Sequence, residues 1–500
     1  MQRRRFLTML GMGTLAGLPL LQACSSATPA SQPAASKPAE TTAPKPTAAG
    51  AAAAKPAETK PAAQAAPAKT GAVREVSFMS IGTEVEQNMF KEAVDTVQKA
   101  SLDALNIKLN FQPGPSGSGA WEKIMAMFAA NQAFDVQRID DDRVFLLAVE
   151  NKIHQLDDWM IQHNMKKDDY YPAFWTTLAI EGYQFSINPA GSANVVYYNM
   201  DLFDQAGVKA PASWKDAWSW EDFLTNVKKL SKVNGSTTEV YGLAFPPNIS
   251  TPTGYGAGAT AFNEDETKSG FDNPVVFEAL DPIIQMVTKE KIIAPPELDD
   301  AGRLQLFNAG KIAMSWEAMG FDRNITSGIR WGIMPWMKTP KFAMTENYDR
   351  TFVISKSAKD PEAAFLAMKA LSEKAGSDVF AKHRFGLPFL KATAEGPIVN
   401  DESQPPANKN IWRETFDLVD GHPVDVPTPR SPVGEVWKQS FTDELFESAL
   451  AGQISTKDFL DQANGRINAK IKELSWKKGK GLEMLKAGGG LTHPDKKIWP

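Results

Sequence analysis

Between Ser25 and Ala72 the chain contains no Val, Ile, Leu, Met, Phe, Trp or Tyr; it is mostly Ala and Pro with scattered Lys, Glu, Thr and Ser. A segment without apolar side chains cannot offset the entropy of ordering its own backbone. Prolines every few residues also forbid a long alanine helix. The stretch is therefore expected to be a tether, reaching ~40 Å as a coil and more where polyproline stiffens it. Whatever folds begins near Val73. The remaining ~430 residues are too many for one compact core and suit two lobes.

The tether is preceded by the only cysteine, Cys24. Arg3, Arg4 and Arg5 form a positive region, and Leu7 to Leu21 is apolar without charge. That run is shorter than the ~20 residues of a spanning helix and fits a signal-peptide core. RRRFLT matches the twin-arginine form. Leu21-Gln22-Ala23-Cys24 resembles the bacterial lipobox, although Gln22 is bulkier than usual at its position. A buried core thiol is the alternative, but it gives no reason for the arginines or the tether. The expectation is a signal peptide over 1–23, and lipidated Cys24 with its tether over 24–72. Two acyl chains suffice for stable anchoring.

Net charge is −5 and no basic stripe is present, which disfavours nucleic acid as a partner. The 43% hydrophobic and 23% charged residues describe an ordinary soluble globular protein, with 13 Trp and 27 Phe available for stacking or packing. With Cys24 acylated, no thiol remains for redox or metal chemistry.

The folded part alternates strand and helix. REVSFMS, NIKLNFQP and FDVQRID read as strands. Glu84–Leu105 and WEKIMAMFAAN read as the helices between them, and DRVFLLAVENKIHQL as a helix running into a loop. This order argues for a parallel sheet covered by helices. Beyond Tyr183, SANVVYYN, KIAMSWE, RWGIMPWM and RTFVISK read as strands. Helices are expected over DLFDQA, SWEDFLTNVKKLSK with Ser219 as N-cap, NPVVFEALDPIIQMVTKE and AGRLQLFNAG. DPEAAFLAMKALSEKAGSDVFAK and the two amphipathic stretches between Glu435 and Leu474 are expected to be helical too. Residues 477–500, rich in Lys and Gly, are expected to be loosely ordered.

The order of these pieces resembles the family 1 extracellular solute-binding proteins, the carbohydrate receptors of ABC importers related to maltose-binding protein. VVYYNMDLFDQAGVKAPASWKDAWSWEDFLTNVKKL, LFNAGKIAMSWEAMG, RWGIMPWM, TFVISKSAKDPEAAFLAMKALSE and LAGQISTKDFLDQANGRI carry the resemblance, which spans essentially 73–476. The insert ASWKDAW and the long loops around 396–430 depart from it. The resemblance implies an α/β, two-lobed periplasmic-binding-protein-like fold of type II. Lobe 1 would be 73–189 and 346–388, and lobe 2 would be 190–345 and 389–476. It also implies a monomer that captures a sugar in the cleft by hinge closure and hands it to separate permease chains.

A sugar site needs flat aromatic rings and groups that pair with hydroxyls. The loops after the first strands offer Glu84, Glu86 and, beyond the turn PGPSGSG, Trp121. That turn is equally a plain connector; no Gly-Lys-Ser/Thr follows to make a phosphate cradle. After the third strand come Asp140, Asp141, Asp142 and Arg143. The resemblance points most directly to Asp142 and Arg143 as ligand contacts, while helix capping accounts equally for the cluster. Trp316 and Glu317 follow KIAMS, where the family presents contacts, with core packing as the alternative for Trp316. Tyr183 and Ser192 near one crossover, Tyr348 and Arg350 near another, and Tyr255 and Trp437 complete the candidates. Trp214, Trp218 and Trp220 are expected to pack or face solvent.

Catalytic signatures are thin. The chain contains no G-x-S-x-G, H-E-x-x-H or Walker lysine, and its five histidines are scattered singly. No cofactor or metal is implied. A carboxylate pair such as Asp141 with Glu317 leaves glycoside hydrolysis open. Polyol phosphates or peptides are alternative solutes, and a structural lipoprotein that has lost its ligand is a third class.

Overall fold

The computed structural model describes residues 71–492, apart from 116–118, 177–178, 402, 404, 407, 420–421, 424–428 and 443. At 176, 347–350, 418–419 and 422–423 only the backbone is described. Cys24, the signal peptide and nearly all of the tether lie outside the described residues. Ala68–Pro500 forms a compact unit of its own.

Eight strands form one mixed sheet: β1 Arg74–Ser80, β2 Ile107–Pro113, β3 Val136–Asp140, β4 Ala190–Asn199, β5 Met314–Ala318, β6 Trp331–Met334, β7 Asn347–Ile354 and β8 Leu387–Pro388. The main path runs β6-β4-β7-β3-β1-β2, with β5 and β8 also pairing β4. The expected parallel sheet is present only in part. β1 pairs β2 and β3 in parallel, whereas β7 joins β3 antiparallel and every partner of β4 is antiparallel. A return strand from a distant part of the chain enters in either direction, which local periodicity does not encode.

β4 joins the two lobes. Residues 190–193 pair with β7 and β8 of the first lobe, and 194–199 pair with β5 and β6 of the second. Every residue of this strand is buried, so apart from Ser192, Asn194 and Asn199 its side chains are apolar or aromatic instead of alternating with exposed polar ones. It starts earlier than expected, at Ala190. Gly191 is required here: a Cβ would stand 2.7 Å from Phe389 Cζ and 2.8 Å from Phe416 Cζ.

Local chemistry sets the helix starts. Thr83 and Glu86 form a capping box at the head of Glu84–Val97. Asn199 ends β4 and accepts from the backbone N–H of Asp201 and Leu202 to start the next helix. Asp360 caps Pro361–Ser372 and also receives Arg74 at 2.6 and 2.7 Å, which ties that helix to the start of β1.

The helix expected after Asp142 is Val144–Val149, with a loop beyond it. Three expectations are corrected. The long helix over 360–382 breaks at Glu373 into two. The helices Lys391–Ala394 and Pro397–Asn400 pack on Lys374–Lys382 of the first lobe, so the chain leaves that lobe near 400 instead of 388. Residues 480–488 form a helix with Leu485 fully buried, where a loose tail was expected; its apolar anchors are too few among lysines and glycines to show as a period.

Candidate functional site

The site builds up where β3 ends beside the strand switch of β4. Asp140 closes β3, and Asp141–Arg143 forms a single 3-10 turn directly after it. This turn presents Asp141, Asp142 and Arg143 half-buried at the lobe junction. Arg143 lies over the half-buried ring of Trp121, 5.1 Å from its centroid, a cation–π contact. Asp142 faces Arg143 at 3.9 Å, which is a charge contact and not a hydrogen bond. Burial, with Asp141 beside it, raises the Asp142 carboxyl above its ordinary value.

Two cations from the C-terminal part of the chain complete this cluster. Arg430 meets Asp141 Oδ2 at 3.1 Å and donates to the Asp141 carbonyl at 3.2 Å. Lys438 sits on the helix Pro432–Thr442, whose core face is anchored by Trp437 and Phe441, four residues apart. One residue past Trp437 turns Lys438 about 100° away from that core. Burial lowers the Lys438 pKa, but Asp141, Glu346 and Asp142 outweigh it and hold the ammonium above its ordinary value. Lys438 therefore couples the β3 turn to Glu346, which precedes β7. Glu346 is 1% exposed and accepts from Asn248 Nδ2 at 2.8 Å. Its carbonyl accepts from the Asn194 N–H at 3.1 Å, at the residue where β4 changes partners.

Trp121, Asp141, Asp142 and Arg143 are thus gathered, with Asp140 at the base of their turn. Ser192 lies on β4, its hydroxyl donating to Met319 O at 3.4 Å. Tyr348 is opposite Ser192 in register, and Arg350 is opposite Asp140; the side chains of Tyr348 and Arg350 lie outside the described residues.

The remaining candidates are placed elsewhere. Glu84 is exposed in the first turn of its helix, and the Glu86 carboxylate caps that helix by accepting the Thr83 N–H at 2.9 Å. Glu317 is a correction: it points to the opposite face of β5 from Trp316 and is held by buried Arg303 at 2.6 Å and by Ser315 at 2.7 Å. That removes the pairing of Asp141 with Glu317. Trp316 is also corrected, since it is fully buried with its ring 5.9 Å from Trp336 and offers no open stacking face. Trp437 and Tyr255 share an aromatic core with Phe271 and Phe441. Trp437 is fully enclosed, while Tyr255 also borders a cavity of about 310 Å³ together with Arg430. Tyr183 is buried at 2% exposure. Trp214 packs as expected, its indole N–H donating to Ile411 O at 3.0 Å.

Sequence reasoning missed Arg430, Lys438, Glu346, Asn248 and Asn194. Only Lys438 left a signal, as a charge beside the apolar stripe of an amphipathic helix. The others come together through crossings that sequence spacing does not reveal.

Among the described residues no group of three or more His, Cys, Asp or Glu is placed to hold a metal ion. No helix among them is long and apolar enough to cross a membrane.

Comparison with known proteins gives this arrangement a context. A putative binding protein of Brucella abortus (strain 2308) is 23% identical over 316 residues, 59% of this chain and 72% of that protein. Two solved structures share the fold. An ABC substrate-binding protein of Listeria monocytogenes, in complex with cycloalternan, superposes with TM-score 0.64 at 21% identity, covering 80% of this chain and 99% of that one. The sugar-binding protein MalE of Xanthomonas citri gives TM-score 0.67 at 17% identity, covering 80% and 98%. The profile of the family described as bacterial extracellular solute-binding protein matches residues 87–377, more than half of the chain. With its two α/β lobes joined through β4 and a charged, half-buried cluster at their junction, the chain belongs to the bacterial extracellular solute-binding proteins.

Proposed function

We propose that the protein is the carbohydrate receptor of an ABC importer, anchored outside the cytoplasmic membrane through lipidated Cys24 after twin-arginine export. It captures a sugar or oligosaccharide between its lobes and presents the closed form to separate permease subunits. The observation that carries this reading is the cluster of Trp121, Arg143, Asp141, Asp142, Arg430 and Lys438 where the lobes meet. It supplies an aromatic ring and mixed, nearly balanced charges, which suit a neutral polyhydroxyl ligand better than an ion. The sugar complexes among proteins of the same fold support the same class. A ligand touching both lobes stabilises only the closed state, so binding itself drives closure. Residues 1–72 supply the anchor and the reach. Within this reading the protein is a receptor and acts on its ligand by enclosure alone.

A thermal-shift screen of the purified chain against mono- and oligosaccharides, polyol phosphates and peptides tests this. Ligand at a hundredfold excess over Kd adds about 2.7 kcal/mol of stability. A shift confined to one sugar class, with the sugar recovered intact, is expected. A shift with a phosphate alone would transfer the site to the cations Arg143, Arg430 and Lys438. Release of hydrolysed sugar would overturn the receptor reading.

A further inference from the structure

We propose that the C-terminal segment, residues 475–492, is a clasp that ties the two lobes together and sets how readily they open. The segment is rooted in the second lobe. It leaves the long helix Thr456–Leu474, which packs on Pro432–Thr442 and Pro274–Thr288 and holds the 263–269 loop through Asn464 and Asn468. It ends on the first lobe. The helix Lys480–Gly488 packs on Val144–Val149, with Leu485 fully buried. A Cβ on Gly488 would stand 1.8 Å from Val149 O, so only glycine permits this approach. Beyond the helix, Thr492 donates to Gln155 Oε1 from its backbone at 2.9 Å and from its hydroxyl at 3.1 Å.

Between root and end lie the five residues Ser475–Gly479, and these too are engaged on both sides. Trp476, 5% exposed, meets Phe145 of the first lobe edge-on at 6.5 Å and donates to Glu266 of the second at 3.0 Å. The Lys478 N–H donates to Asp265 O at 2.9 Å. Ser475 and Gly479 both adopt positive φ, 48° and 83°, which folds the connection back on itself. Fully extended, five residues span at most about 17 Å. The lobes therefore separate on this side only by unfolding the turn and withdrawing Trp476, or by undocking the terminal helix.

The clasp also flanks the gap between the lobes. Trp476 and Lys478 border the same cavity of about 310 Å³ as Glu181 of the first lobe and Arg430. Rate and extent of opening, and through them ligand affinity, depend on the clasp, because apparent affinity scales with the population of the binding-competent state. This holds whatever the solute is and does not rest on the carbohydrate reading.

The test is an interlobe distance in the ligand-free full chain. Spin labels at Lys99→Cys and Lys229→Cys, both exposed and one in each lobe, are introduced with Cys24→Ser. Three forms are compared by pulsed dipolar spectroscopy: the unaltered clasp, Leu485→Asp, and four Gly-Ser residues inserted between Lys478 and Gly479. The insertion lengthens the connection and leaves every contact residue in place. The proposal expects a single narrow distance population in the first form. It expects a longer population in Leu485→Asp and, to a lesser degree, in the insertion, with the insertion's thermal midpoint unchanged. If the insertion leaves the distances unaltered, the terminal helix only stabilises the first lobe and the proposal is overturned, whatever Leu485→Asp does.

Discussion

Arg430 and Asp141, 289 residues apart, face each other at 3.1 Å with side chains only 11% and 15% exposed. One comes from the turn that follows β3 and the other from the run into the helix Pro432–Thr442. Their pairing joins segments far apart in sequence at the lobe junction. A contact this enclosed is screened little by salt.

Replacing Asp141 by Asn is expected to remove about 1–3 kcal/mol of stability, in the range of hydrogen bonds to charged groups. The exchanged double variant Asp141→Arg with Arg430→Asp is expected to recover part of the loss. Urea unfolding of the parent, Asp141→Arg, Arg430→Asp and the exchanged double gives the coupling. A coupling near zero would show that the pair contributes nothing to the junction.

Glu317 is enclosed in a buried ion pair with Arg303. Its side chain and that of Arg303 are 5% and 3% exposed and bonded at 2.6 Å. Burial pushes the Glu317 carboxyl up, and Arg303 and Ser315 pull it back. Breaking such a pair from one side leaves a buried charge, so Glu317→Gln is expected to lose about 3–5 kcal/mol. The apolar double variant Glu317→Leu with Arg303→Met is expected to restore most of it. Solute affinity of the folded double variant stays within a few-fold of the parent. Loss of binding in a protein of parental stability would return Glu317 to the site.

His154 gives the first lobe a pH dependence. Burial, with Lys356 adding to it, lowers the imidazole to about 4 from an ordinary value of 6.5. The unfolded chain therefore takes up this proton first as pH falls. Stability from this group is complete above pH 6.5 and is lost as pH falls towards 4, by no more than about 3 kcal/mol. His154→Phe should flatten that slope between pH 6.5 and 4 in urea unfolding. An unchanged slope would place the titration elsewhere.

Gly191 sits against Phe389 and Phe416 on the lobe-joining strand. Gly191→Ala inserts a methyl where two rings already meet, which is expected to cost about 1–3 kcal/mol. Adding Phe389→Leu should relieve much of it. Equal instability of the single and double variants would mean that the backbone, not the rings, sets the need for glycine.

What the sequence revealed and what it withheld divide along the range of the interactions. Thr83, Ser219 and Asn199 act on backbone within three residues, and the first and second of these starts are legible as local patterns. The first two strands are legible from their alternation and the glycines that follow them, and the third from apolar residues that end at an acidic run. β4 was legible as apolar, but its role as the joint depends on partners more than 100 residues away. The turn Asp140–Arg143 stood out because charge is concentrated directly after a strand. Lys438 and Glu346 did not, since their meaning lies in facing that turn across the fold. Trp316 and Trp437 were misjudged for one physical reason: an indole ring serves equally to stack on a ligand and to fill a core, and only burial tells the two apart.

If a solute is held at the cluster around Asp142 and Lys438, titration calorimetry with the sugar that gives the largest thermal shift shows one saturable site in the purified chain. In Lys438→Met the same sugar is expected to bind at least tenfold more weakly, about 1.4 kcal/mol, with the unfolding midpoint preserved within a few degrees. Equal affinity in both proteins would contradict the placement of the site, and absence of heat with every sugar would contradict the carbohydrate receptor.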